Sequence, residues 1–143
     1  MSEANKALVR RFYEEVLEKG NLTLVDELFA SNYVYHEPTV GEVKGPEGIK
    51  QLAAMYRTAF PDLRMRIEDL VAEGDKVVSR WTGRGTHLGE LMGVAPTGKQ
   101  MTVTGMVISR IIGGKFVEDW ENYDTLGMMQ QLGALPAAAK TAA

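Results

Sequence analysis

The chain is expected to fold as an α+β domain in which N-terminal helices pack on a curved antiparallel sheet and leave a conical pocket between the layers. Two observations carry this expectation. Apolar residues recur at three- and four-residue spacing as far as Phe60, and from Arg64 onward they alternate with polar ones at a period of two. The length of 143 residues, with 45% hydrophobic and 24% charged side chains, suits one domain that can bury a core without staples. Residues 1–143 are therefore taken as a single domain.

Leu8, Val9, Phe12, Tyr13, Val16 and Leu17 form the buried stripe of a first helix, which Gly20 ends. Asn21 reads as the cap of a short second helix carrying Leu24, Val25, Leu28 and Phe29. An extended piece follows at 33–37 and stops at Pro38, and 39–44 reads as loop. Gly45-Pro46 opens a third helix, where proline's missing donor costs nothing, and Ile49, Leu52, Ala53, Tyr56 and Phe60 make its inward face.

Four strands are expected at 65–71, 76–87, 99–111 and 115–123. They are separated by the turn signals Glu73-Gly74-Asp75, the loop 89–98 and Gly113-Gly114, so consecutive strands should form a meander. A closing helix at 125–132 is capped by Gly133, and the alanine-rich tail at 135–143 should fray.

Composition excludes several classes of function. With no cysteine there is neither a disulfide framework nor a thiolate metal site. A net charge of -3 with basic residues spread thinly speaks against nucleic acid; the local excess Lys6, Arg10 and Arg11 is answered by Glu14, Glu15 and Glu18 on the following turns. No apolar run is long enough for a membrane span, and the charged N-terminus lacks a signal-peptide core, so a cytoplasmic protein is expected. The run from Gly93 to Lys99 satisfies part of a phosphate loop, but it lacks the following Ser or Thr and leads into a strand instead of a helix. The two histidines, His36 and His87, have no metal-ligand spacing, and a site from His36, Glu37 and Asp119 lacks motif support, so no metal is expected.

The stretches FYEEVLEKGNLTLVDELF, GPEGIKQLAAMYRTAFPDL, GTHLGELMGVAPTGK, GGKFVEDWENYD and GMMQQLG, in that order, resemble the SnoaL-like ester and polyketide cyclases of the nuclear-transport-factor-2-like superfamily. The likeness runs from Asn5 to Gly133, and the GTH-x-GE-x-MG-x-APTGK loop is its most distinctive part. It implies a cystatin-like α+β barrel and a cofactor-free intramolecular aldol reaction. It also implies that Asp119, in Glu118-Asp119-Trp120, serves as acid and base and that His87 matches the family's loop histidine. Where such cyclases carry a glutamine and a histidine on the strand after this loop, the sequence has Gly105 and Val107. The superfamily further implies a homodimer through the outer sheet face, at Thr82, Arg84, Thr102, Thr104 and Ile108.

The chemistry can be argued from residue types as well. An aldol or isomerisation step needs a base beside a C–H that is α to a carbonyl, and then a proton donor for the oxyanion. One carboxyl of raised pKa serves both in turn, and an aspartate facing an apolar cavity would be raised by desolvation.

Alternation puts Val117, Asp119, Glu121 and Tyr123 on one face of the last strand and Phe116, Glu118, Trp120 and Asn122 on the other, without saying which is concave. The competing role for Asp119 is a surface carboxylate paired with Arg80 or Arg84. Substrate-binding candidates are His36, His87, Trp81, Leu17, Leu52, Met55, Phe60 and Val107, around a small apolar carbonyl compound. Two alternatives stay open: a non-catalytic module for an apolar ligand, and a pocket enzyme like an epoxide hydrolase or ketosteroid isomerase. The epoxide hydrolase would need a second carboxylate and an arginine around a water, and the sequence makes no such triad evident.

Overall fold

A computed structural model describes residues 2–135; most of the expected frayed tail, 136–143, lies outside the described residues. Helix α1 (Ser2–Arg11) continues without a break into a π-helical stretch, Phe12–Glu18, in which the Lys19 amide reaches back to the Glu14 carbonyl at 3.1 Å. This wider winding, a form often found at functional sites, carries Phe12, Tyr13 and Leu17 of the apolar stripe to the edge of one cavity. Gly20 ends the segment at φ +74°; a Cβ there would also lie 2.6 Å from Arg57 Nε.

A 3₁₀ turn (Leu22–Leu24) leads into α2 (Val25–Leu28). Asn21 precedes the turn but makes no capping bond, since its side-chain oxygen accepts instead from Thr23 Oγ1 at 2.7 Å. Phe29 is not part of α2. It opens strand β1 (Phe29–Glu37), because its pairing with Phe116 and the stacking of the two rings at 4.7 Å outweigh its fit to the helical pattern. The stretch expected as loop at 39–44 includes a strand, β2 (Gly41–Lys44), which folds back antiparallel on β1. Helix α3 (Gly45–Ala59) then begins with proline in its first turn, as anticipated.

The remaining strands, β3 (Arg64–Glu73), β4 (Lys76–Thr86), β5 (Gln100–Ile112) and β6 (Lys115–Tyr123), form the expected antiparallel meander, and α4 (Thr125–Gln131) closes the chain. The whole sheet has six strands in the order β2-β1-β6-β5-β4-β3. It is mixed, not purely antiparallel: β1 runs parallel to β6, which a connection through α3 and the entire meander permits. It is also open, with β2 and β3 as edges, so it curves around the helices without closing into a barrel.

One irregularity decides the site. Arg110 pairs with Glu118 and Ile111 with Phe116, so Val117 is an extra residue, a β-bulge in β6. Phe116 and Asp119 are consequently both buried, whereas strict alternation would put them on opposite faces. Beyond the bulge the period of two resumes, with Trp120 and Asn122 exposed. Among the described residues no helix is long and apolar enough to cross a membrane.

Candidate functional site

A cavity of about 110 Å³ lies between the concave face of the sheet and the layer made by the π-helical stretch, α3 and α4. Its wall is mostly apolar. Leu17, Leu52 and Phe60 contribute from the helical side, and Trp81, Val107 and Phe116 from the strands. Of the candidates read from sequence, Leu17, Leu52, Phe60, Trp81, Val107 and Asp119 all line this space.

Three candidates lie elsewhere. Met55 is half-buried against the core but outside the cavity lining. His36 is on the convex face, because its neighbour Tyr35 points inward; it donates from Nε2 to Glu118 Oε2 at 2.7 Å and stacks on Trp120 at 5.7 Å. With His36 outside and Asp119 inside, the two cannot share a metal site. His87 is fully buried just past β4, where its Nδ1 accepts the Thr97 amide at 3.2 Å. Its backbone amide donates to the Lys99 carbonyl at 2.9 Å, and its carbonyl accepts from Gly98 at 2.8 Å. It therefore clasps the end of the APTGK loop, at Thr97, Gly98 and Lys99, to the end of β4.

Asp119 has the surroundings of a titrating acid. Its Oδ2 accepts the Tyr33 hydroxyl at 2.5 Å, and its buried Oδ1 has no hydrogen-bond partner among the described residues. Burial pushes the carboxyl up to about 6. The Ser109 and Tyr33 hydroxyls oppose that rise by stabilising the charged form, and Glu118 adds slightly to it. The competing surface ion pair is not formed: Arg80 bonds Asp69 at 2.6 Å, and Arg84 is exposed on the outer face.

A second acid, Glu121, was not among the sequence candidates. Its Oε1 accepts the Tyr35 hydroxyl at 2.5 Å and its Oε2 accepts Trp81 Nε1 at 2.9 Å. Burial pushes it up to about 7; the Tyr35 and Trp81 bonds oppose the rise, and the charges of Asp119 and Glu37 add to it. The signal for Glu121 was present in the sequence, since alternation in β6 puts it on the face of Asp119. It is the second carboxylate that the hydrolase alternative lacked, yet among the described residues no arginine lines the cavity.

The phenols complete the polar lining. Tyr56 and Tyr123 share a hydrogen bond at 2.5 Å and Tyr13 meets Ser79 Oγ at 3.0 Å; burial pushes all of these tyrosines up, so they remain neutral hydroxyls. Both acids of the wall thus come from β6, with Tyr123 beside them, while β1, α3 and the π-helical stretch supply one phenol each. At Gly105, where the resemblance implied a polar side chain on β5, the Trp81 ring occupies the space: a Cβ would lie 2.5 Å from Cζ2.

A family model described as SnoaL-like polyketide cyclase matches residues 7–132, a span that takes in every residue of this cavity. The chain belongs to the SnoaL-like polyketide cyclase family. Over 135 residues it is 30% identical to the aklanonic acid methyl ester cyclase DauD of Streptomyces sp. (strain C5), covering 88% of this chain and 80% of that protein. It is equally identical to the aklanonic acid methyl ester cyclase DnrD of Streptomyces peucetius, covering 88% of each. The solved structure of TsrD from Streptomyces laurentii superposes with a TM-score of 0.85 at 30% identity, covering 94% of this chain and 98% of that one. Within the SnoaL-like frame, this chain pairs two cavity acids on β6 with two tyrosines on β1, Tyr33 with Asp119 and Tyr35 with Glu121.

Proposed function

We propose that the protein catalyses a cofactor-free acid–base reaction of the intramolecular aldol type on a small, apolar carbonyl compound, with Asp119 as base and then acid. The observation that carries this reading is the Asp119 carboxyl, buried against an apolar cavity with Oδ1 in no hydrogen bond to any described residue. In the proposed step the ionised carboxyl takes the proton from the carbon α to a carbonyl, and the C–H electron pair moves onto the carbonyl oxygen as an enolate. The enolate carbon attacks a second carbonyl of the same molecule, and the alkoxide so formed recovers the proton from Asp119. A carboxyl raised to about 6 suits both halves, being largely ionised near neutrality yet basic enough to hold a proton between steps.

At about 110 Å³ the cavity is somewhat smaller than the roughly 150 Å³ apolar cavity that admits benzene, so it supports a substrate no larger than about one six-membered ring. Cyclohexanone is a suitable probe. Its α-proton exchange in D₂O, followed by ¹H NMR, should be accelerated by the protein, and Asp119→Asn should remove about 10²- to 10⁴-fold of that acceleration while circular dichroism stays unchanged. Exchange that survives the substitution would exclude Asp119 as the base.

We also propose that two copies pair through the convex face, which exposes Met106, Ile108 and Trp120 beside one another on β5 and β6. Sedimentation equilibrium on the wild type and on Ile108→Lys tests this, and a monomeric wild type would refute it.

A further inference from the structure

The aldol reading uses Asp119 and leaves Glu121 idle, although Glu121 is held more tightly. Both of its oxygens are engaged, Oε2 by the Trp81 indole N–H and Oε1 by the Tyr35 hydroxyl. An indole N–H can only donate, so Oε2 must always be the accepting oxygen. A proton taken up by Glu121 therefore sits on Oε1, the atom facing Tyr35. With that proton in place, the carboxyl donates and the phenol oxygen accepts. The hydrogen of Tyr35 is then released from Glu121, on a ring that lines the cavity.

We infer that Glu121 is a positioning residue whose protonation turns the Tyr35 hydroxyl from a donor to the carboxylate into a donor to a ligand carbonyl oxygen in the cavity. The inference rests on the proposal that the cavity receives a carbonyl compound, and it specifies how that compound lies. Asp119 and Glu121 are two residues apart on β6 and pair with Tyr33 and Tyr35 on β1, so the two acid–phenol pairs are spaced roughly 7 Å along the strands. A carbonyl group with its α carbon, joined by a hydrogen bond of about 2.8 Å at the oxygen end and a contact to the base at the other, spans that interval. The carbonyl oxygen then points to Tyr35 and the α carbon to Asp119.

The groups facing Glu121 are compatible with proton uptake near neutrality. Asp119 and Tyr123 lie on its own strand, Tyr33, Tyr35 and Glu37 on β1, Tyr13 on the π-helical stretch, Tyr56 on α3 and Trp81 on β4; among the described residues no basic side chain lines the cavity. Burial and the neighbouring acids place its titration at about 7, while burial pushes the Tyr35 phenol far above its ordinary range, so its hydrogen is retained throughout.

The test is ¹³C NMR of [1-¹³C]cyclohexanone bound to the full chain, across roughly pH 5.5 to 8.5. In the wild type the bound carbonyl signal should move downfield below about pH 7, and binding should weaken about three- to tenfold above it as the donor turns away. In Glu121→Gln the amide oxygen must face the Trp81 N–H, which leaves the NH₂ to donate to Tyr35; the downfield signal should then persist over the whole range. Tyr35→Phe should bind the ketone with no downfield shift at any pH.

A Glu121→Gln profile that titrates like the wild type, a downfield shift retained in Tyr35→Phe, or no ketone binding by the wild type would each overturn the inference. The aldol reading fails separately: this NMR pattern without Asp119-dependent exchange would sink that reading and leave the inference standing. Exchange without a pH-dependent carbonyl shift would do the reverse.

Discussion

Replacing Asp119 with asparagine should stabilise the fold by an amount that depends on pH. The carboxyl has an ordinary value of 3.8 and is raised to about 6 in the folded chain. Between those values the native state holds a proton that the unfolded state has released. The contribution of this group is therefore fully present below the unfolded value and is lost as pH rises through the folded one. A shift of about two units corresponds to about 3 kcal/mol. Asparagine resembles the protonated acid in shape and carries no charge, so it loses nothing over that interval, and its side-chain oxygen can still accept from Tyr33.

The difference in unfolding free energy should be close to nil below about pH 3 and approach about 3 kcal/mol in favour of the variant near pH 8. Because the Asp119 charge also raises Glu121, removing it eases that neighbour in the same direction. Urea unfolding followed by tryptophan fluorescence, at a series of pH values for both proteins, measures the curve. A difference that does not change with pH, or one that favours the wild type more as pH rises, would refute the argument that Asp119 is held at a desolvation cost. Stability gained while α-proton exchange is lost would identify the carboxyl as kept for chemistry.

Gly105→Ala should destabilise the protein by about 1–3 kcal/mol and alter near-ultraviolet circular dichroism, because the added methyl falls 2.5 Å from the Trp81 ring and 2.6 Å from Tyr123 Cβ. Asp124→Ala should lower stability by about 0.5–2 kcal/mol in thermal unfolding, since Asp124 Oδ1 caps α4 by accepting the Gly127 amide at 2.9 Å; an unchanged melting curve would show the cap to be idle.

Much of the fold could be read along the chain. The four meander strands fall within two residues of their expected ends, because a half-buried strand writes its alternation directly into sequence. Helix α3 announces itself by Gly45-Pro46, and the quoted motifs were enough to point to the family. The misreadings share one cause. Phe29 fits a helical stripe and a strand equally well, and only Phe116, far along the chain, resolves the ambiguity. The short β2 carries too little pattern of its own and exists because β1 offers it an edge. The parallel pairing of β1 with β6 has no local signature at all.

The site follows the same division. The sequence by itself determined that an aspartate beside Trp120 stands in an alternating strand, and that glutamate and tyrosine share its face. It could not set which face is concave, nor see the bulge at Val117 that brings Phe116 inward with Asp119. It could not place His36 outside the cavity or join Tyr33 to Asp119 and Tyr35 to Glu121, partners 86 residues apart in each case. Those relations depend on strand register and on which surface the helices cover. Desolvation, which gives the two acids their titration range, exists only once the layers have closed over them.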